Sequence, residues 1–410
     1  MESFRQLRQS AALACAPRLM WGAPAPVEAQ LHYIAMKAPT AKVLMGLAAL
    51  AATCLTVHAQ YTFTTLDNPG AVDGIYLWGI SGTNIVGSYN DASNFEHGFV
   101  YTGSTWSALE VPTSWGDRAV PAGISGANIV GTYSDISWNI GGFLYNGATW
   151  TPLDDPIEWF FFINTGTFPQ GTDGTNIVGY YTDTNGLDQG FLYSGSTWTT
   201  LEDPLGVEGT FAQGISGTNI VGYYYGRNYL SINFIVHGFL YNGSTWTTLD
   251  YPMSPSGSTW VRGIDGTNIV GSYAGTNNVS HGFIYNGIAW TTLDDPLAGS
   301  GTGQGTWANG ISGANVVGYY YDSNNIAHGF LAAPIPQLTI TPSGNTLKIS
   351  WPSWASSYAL QQNFDLDPTN WVNTAQPPML NASNMQYELA LNPAFVFRNS
   401  RYNFRLKQER

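Results

Sequence analysis

From residue 61 to about residue 333, apolar and polar positions recur in short blocks separated by Gly, Asn and Ser, each block too short for an amphipathic helix. Apolar side chains fall on both faces of these blocks instead of alternating strictly, as in Asn219-Ile220-Val221-Gly222-Tyr223-Tyr224 and His237-Gly238-Phe239-Leu240-Tyr241. Strands of this kind are covered on both sides, as they are when sheets stack radially. The blocks come in sets of four. In one set a strand ending in Gly214-Ile215-Ser216-Gly217 leads into 219–224 and then into 237–241. The hairpin signal Asn242-Gly243 follows, and a last strand, 244–249, is closed by Asp250 and Pro252.

The set is repeated. Asn-Ile/Val-Val-Gly begins at Asn84, Asn128, Asn176, Asn219, Asn268 and Asn315, and a Gly-Phe pair follows at Gly98, Gly142, Gly190, Gly238, Gly282 and Gly329. The separation is 14 residues in five copies and 19 in the fourth. Eight residues after that Gly, five copies place Trp106, Trp150, Trp198, Trp246 and Trp290, and six further on Pro112, Pro156, Pro204, Pro252 and Pro296. A period of 43 to 49 residues with four strands per period predicts a β-propeller.

The sixth copy runs from His328-Gly329-Phe330-Leu331 into Ala332-Ala333-Pro334 without its Trp or its closing Leu-Asp-x-Pro. The missing piece stands before the first copy, in Leu66-Asp67-Asn68-Pro69. The expected fold is therefore all-β: a six-bladed β-propeller over 60–333, closed by the N-terminal strand so that no edge is left open, then a small β-sandwich over 334–410. In that last segment strands are expected at 337–341, 346–351, 358–362, 371–374, 385–391 and 403–406, with another near 395–398. Leu347, Ile349 and Trp351 alternate there, which suggests a fibronectin type III-like module.

On Ala308-Asn309-Gly310-Ile311, Asn315-Val316-Val317-Gly318 and His328-Gly329-Phe330-Leu331, the chain resembles the HAF-type extracellular repeat proteins of bacteria. The resemblance covers 61–333 and implies secretion and a repeat scaffold, with no general activity. Gly replaces the Ala of His-Ala-Phe, and Ile140-Gly141 and Asp188-Gln189 bring no His to the second and third copies.

Residues 1–59 read differently. From Met36, Lys37 and Lys42 precede an apolar run over 43–55 and then Val57-His58-Ala59, the layout of a secretory signal peptide cleaved after Ala59, with 1–35 an over-extended start. The run is shorter than a membrane span. A secreted location, extracellular or in the cell envelope, and no membrane span are expected. Both cysteines, Cys15 and Cys54, lie in this part.

The net charge of −13 hides an uneven distribution: residues 60–336 carry 21 acidic and 3 basic side chains, a net of −18, whereas 337–410 carry 4 and 6. An acidic propeller excludes nucleic acid as a partner.

Candidate chemistry is sparse. His97, His237, His281 and His328 precede Gly-Phe in four copies, but on a third strand they cannot converge, so a hydrogen-bonding role is expected. Asp154-Asp155, Glu202-Asp203 and Asp294-Asp295 suit turn capping, and 183–188 suits a polar hairpin tip better than a calcium loop. No catalytic set, metal site or cofactor is expected. Length variation is confined to the connection after the closing Pro and to one loop between second and third strands, which emerge on the same face. Unpatterned aromatics gather there. Trp115, Trp138, Trp159, Phe160, Phe161, Tyr229 and Phe234, with Arg262 near the axis, form the candidate ligand-binding set, the alternative being that the aromatics cover the core. A monomer binding a polysaccharide or a cell-surface protein is the expected function. A degenerate glycan-active enzyme and a purely structural envelope or matrix protein are the alternatives.

Overall fold

The computed structural model describes residues 61–116, 118–135, 140–154, 166–227, 234–255, 257–343, 346–352, 355, 358–363, 372–374, 377–381, 386–391 and 403–408. Among these the regular structure is β, with a short 3-10 turn at Thr276–Asn278. Val57–Ile335 forms one compact unit, and Pro336–Arg410 belongs to a second.

The first unit is built from four-stranded antiparallel sheets, one per repeat. The first sheet runs Ile75–Ser81, Asn84–Asn90, Glu96–Tyr101, Trp106–Leu109. The second runs Arg118–Ser125, Asn128–Ser134, Ile140–Tyr145, Trp150–Leu153. The third runs Thr167–Thr172, Ile177–Thr182, Asp188–Ser194, Thr197–Leu201, and the fourth Thr210–Ser216, Asn219–Arg227, Phe234–Tyr241, Trp246–Leu249. The fifth runs Thr259–Asp265, Asn268–Ala274, Ser280–Tyr285, Trp290–Leu293. The sixth takes Gly305–Ser312, Asn315–Tyr321 and Ala327–Pro334 from its own repeat and Tyr61–Leu66 from the beginning of the unit. A single parallel bridge, Ser280 to Gly305, links the fifth sheet to the sixth.

That borrowed strand keeps the register of the repeat. Leu66 faces Gly329 as Leu109 faces Gly98 and Leu249 faces Gly238. Phe63 then falls where the other copies have Trp, and its ring lies 5.5 Å from Phe330, against 4.9 Å between Trp106 and Phe99. Pairing continues to Tyr61 and Pro334, one residue beyond the boundary expected from the sequence.

The core lies between successive sheets. Phe99, Phe143, Phe191, Phe239, Phe283 and Phe330 are buried, as are the valines of the Asn-Ile/Val-Val-Gly segments. Both faces of each sheet are thereby occupied, which accounts for apolar residues without strict alternation. The inner strands touch in sequence from the first sheet to the sixth, and the sixth touches the first.

The inner-strand glycines permit that approach. A Cβ on Gly171 would sit 2.6 Å from the Gln213 carbonyl oxygen and 3.0 Å from Gly214 Cα, and one on Gly310 would sit 3.0 Å from Gly79 Cα. Backbone packs on backbone around the axis, so any side chain at these positions would force the sheets apart.

In the second unit, Thr339–Ser343, Thr346–Pro352, Gln386–Leu391 and Met379–Asn381 form one sheet, and Val372–Asn373, Tyr358–Asn363 and Asn403–Gln408 another. Ile349, Trp351, Leu360 and Leu389 are buried in one cluster. The strand expected near 395–398 lies outside the described residues. No helix among the described residues is long and apolar enough to cross a membrane.

Candidate ligand-binding site

Each inner strand pairs with its neighbour through a register shift just before its glycine. The residue skipped is Trp78, Ala122, Gln170, Gln213, Arg262 or Asn309 in the six sheets in turn. A bulge frees a residue from the ladder and re-aims its side chain. All six line one cavity of about 290 Å³. Toward the end where the variable connections enter, it is bordered by Val120, Thr132 and Phe168; toward the other end by Ile80, Ile124, Thr172, Ile215, Ile264 and Ile311.

Aromatic pairs back this cavity. Two residues before the bulge, the inner strand places a side chain directly opposite the first residue after the Asn-Ile/Val-Val-Gly segment. Phe168 faces Tyr180, Phe211 faces Tyr223 and Trp307 faces Tyr319, each pair stacked at 4.8–5.1 Å. In the first sheet that place holds Tyr76 against Ser88, and Trp78 leans over to stack on Tyr76 while its indole N–H donates to Ser88 Oγ at 3.2 Å. Tyr76 and Trp78 both meet Tyr319 edge-on, and the Tyr76 hydroxyl lies 3.1 Å from that of Tyr321, joining the first and sixth sheets. The Asn309 amide crosses the same seam, donating to the Leu77 carbonyl at 2.8 Å.

Arg262 is the charged side chain among the described residues that line the cavity. Its Nη1 donates to Gln213 Oε1 at 2.9 Å, and its guanidinium lies 5.3 Å from the centre of the Tyr223 ring. No described carboxylate pairs with it, whereas Arg118 is bound to Glu96 at 3.1 Å. Burial pushes the Tyr319 phenol up to about 12 and raises Tyr76, Tyr180 and Tyr225 as well, so all four remain neutral hydrogen-bonding groups at physiological pH.

Of the residues singled out in the sequence, Arg262 stands in this cavity. Phe234 lies beside its aromatic backing: it is 48% exposed and meets Tyr225 edge-on, which in turn meets Phe211. Trp115 is half-buried and packs locally. Its ring lies 5.1 Å from Tyr133 and 6.5 Å from Trp150, against the cluster holding Val111 and Phe143, because an aromatic in a short connection covers the nearest core edge. Trp138, Trp159, Phe160, Phe161 and Tyr229 lie outside the described residues. The bulge residues other than Arg262, and the stacked pairs behind them, were missed by sequence reasoning. Their signal is one place in the repeat, just before an invariant Gly, that reads Trp, Ala, Gln, Gln, Arg, Asn.

The histidines hydrogen-bond within their own sheets. His237, His281 and His328 reach Asp250, Asp294 and Asp67 at 2.7–3.0 Å, and each stacks on the tyrosine two residues after the Asn-Ile/Val-Val-Gly segment. In the first sheet Glu110 replaces the Asp, and His97 turns to Asp91 instead. Asp203 and Asp295 cap turns by accepting from Leu205 and Leu297, and burial raises both carboxyls. Asp183 accepts the N–H groups of Asn185 and Leu187, as Asp322 does those of Asn324 and Ile326; this hairpin-tip arrangement accounts for the calcium-like spacing. No cluster of metal-binding side chains occurs among the described residues.

No protein-family model matches the chain, and no curated protein matches it in sequence. Among solved structures it is similar to the β-propeller domain of the Trilobed protease from Pyrococcus furiosus, at 10% identity over 64% of this chain and 97% of that one, TM-score 0.38. It is similar to the six-bladed fungal lectin of Aleuria aurantia, described with fucose recognition, at 13% identity over 74% and 95%, TM-score 0.39. A variant of AofleA from Arthrobotrys oligospora gives 12% identity over 67% and 90%, TM-score 0.40. Likeness at this level transfers no ligand and no residue role to this chain.

Proposed function

We propose that the chain is a secreted, non-enzymatic repeat protein of the HAF type: a six-bladed propeller closed by its N-terminal strand, followed by a fibronectin type III-like sandwich, that binds a glycan in its axial cavity. One observation carries this reading. A position that differs in every blade but two is turned by a bulge into a shared, aromatic-backed cavity. Repetition serves the fold, and it is broken where a ligand of lower symmetry than the ring would touch it. Flat rings beside amide side chains suit a sugar, whose C–H faces stack while its hydroxyls take hydrogen bonds. Val120, Thr132 and Phe168 border the cavity toward the blade ends from which the length variation springs.

The test is a glycan array probed with the mature chain and with Trp78→Ala and Phe168→Ala. Binding by the parent that both variants lose, while their far-UV spectra and melting stay close to the parent's, is the expected result. Undiminished binding by both variants moves the site away from the axis.

A further inference from the structure

We infer that the axial cavity receives a single carboxylated sugar ring, a uronic acid unit at the end of a chain, held between two aromatic banks with its carboxylate on Arg262. This deepens the glycan-binding reading and rests on it.

Around a six-membered ring, the first and sixth blades stand across from the third and fourth. Tyr76, Trp78, Trp307 and Tyr319 form one bank and Phe168, Tyr180, Phe211 and Tyr223 the other; of these Trp78 and Phe168 line the cavity with the rest packed behind them, while Trp260 of the fifth blade stands opposite Ser272. The two blades left over face each other and differ in kind. The second offers Val120, Ala122 and Thr132, all small; the fifth offers Arg262. The cavity thus has an indole and a phenyl ring in its lining, a cation on one side and small side chains on the facing one. The Arg262 guanidinium lies 5.3 Å from the centre of the Tyr223 ring, beside the second of these banks.

The partners of Arg262 within the chain are a neutral amide and a ring face. A guanidinium drawn partly out of water gains most from a carboxylate, which it can grip through two parallel hydrogen bonds. Two facts narrow the class of anion. The cavity of about 290 Å³ is at the small end for ligand sites, enough for one ring and not for a stretch of polymer. Residues 60–336 carry a net charge of −18, which disfavours a polyanion at long range and leaves a singly charged chain end as the acceptable form.

The probes are methyl β-glucuronide, its uncharged amide, which keeps shape and hydrogen bonding, and methyl β-glucoside, titrated calorimetrically into the mature chain. The expected result is glucuronide binding about tenfold or more tighter than either neutral probe. Arg262→Gln should remove that preference while leaving the weaker neutral binding. Gln occupies the same bulge in the third and fourth sheets, so this variant is expected to fold, and its melting temperature confirms that it has. Equal binding of glucuronide and amide, or a preference that survives Arg262→Gln, overturns the inference and leaves glycan binding standing. Failure of all three probes, with array binding of neutral glycans intact, overturns it too. Failure of the probes together with a blank array overturns both readings.

Discussion

The bulge residue at the inner edge of each sheet and the aromatic pair at its outer edge belong to the same repeat, yet one varies and the other does not. At the outer edge, five copies place Trp edge-on or tilted against Phe at 4.9–5.0 Å, and the sixth reproduces the contact with Phe63 from a distant part of the sequence. At the inner edge, the same backbone shift occurs six times and presents five different residue types. The outer contact is made once per blade, so six equal solutions are the natural outcome. The inner residues all look into one space, and there six equal side chains would make a symmetric plug. Variation at the axis thus falls at the one space that all six inner strands share.

The sharpest way to break this contrast is to disturb what holds the inner edges together. Gly171→Val drives a branched side chain into the Gln213 carbonyl and Gly214. It should cost at least about 3 kcal/mol and leave little folded protein. The Gly217→Ala variant acts on a turn where a Cβ meets nothing within 4 Å and only the φ of +61° is unfavourable, so it should cost only about 1 kcal/mol. Urea midpoints of the two variants separate a steric ring from ordinary turn glycines; equal small losses would mean that the inner edges are not in close contact.

Much of this was legible in the sequence. Constant Gly-to-Trp spacing fixes the outer register, and Leu66-Asp67-Asn68-Pro69 identified the strand that completes the sixth sheet, down to the Leu66 to Gly329 pairing. Arg262 could be placed near the axis by its position before Gly263. The bulges could not be read, because an extra residue in a strand changes no composition and no spacing between copies when every copy has it. Without them Trp78, Phe168 and Tyr319 count as blade core, and aromatics outside the pattern draw attention instead. Trp115 shows the weakness of that signal: being unpatterned does not distinguish a platform from a local cover.

A smaller effect sharpens the outer half of the comparison. The hydrogen bond to Asp250 raises the His237 pKa above its ordinary value, against the opposing effect of burial. The native state therefore holds this proton more tightly than the unfolded chain. The contribution is fully present below the ordinary histidine pKa of about 6.5 and fades as pH rises through the folded value. Both side chains are partly exposed, so the amount stays below about 1 kcal/mol. Stability of the parent relative to Asp250→Asn, followed by urea unfolding from pH 5.5 to 8.5, should shrink with rising pH. A difference that is flat or grows would mean that the pair does not hold the proton in the native state.

The smallest expected change in stability is also the most discriminating. Ala122→Gln places at the second sheet's bulge a side chain that the third and fourth sheets already carry there, so the backbone accepts it and stability should move by no more than about 0.5 kcal/mol. It nevertheless fills the small-residue end of the cavity, across from Arg262. If the axis is where the copies cooperate on a ligand, glycan binding should fall about tenfold with the melting temperature unchanged. At an outer position, by contrast, copying a residue from one blade to another should be without consequence for binding. Were Ala122→Gln to bind as the parent does, the inner edge would be as indifferent as the outer, and its variation would reflect only tolerance.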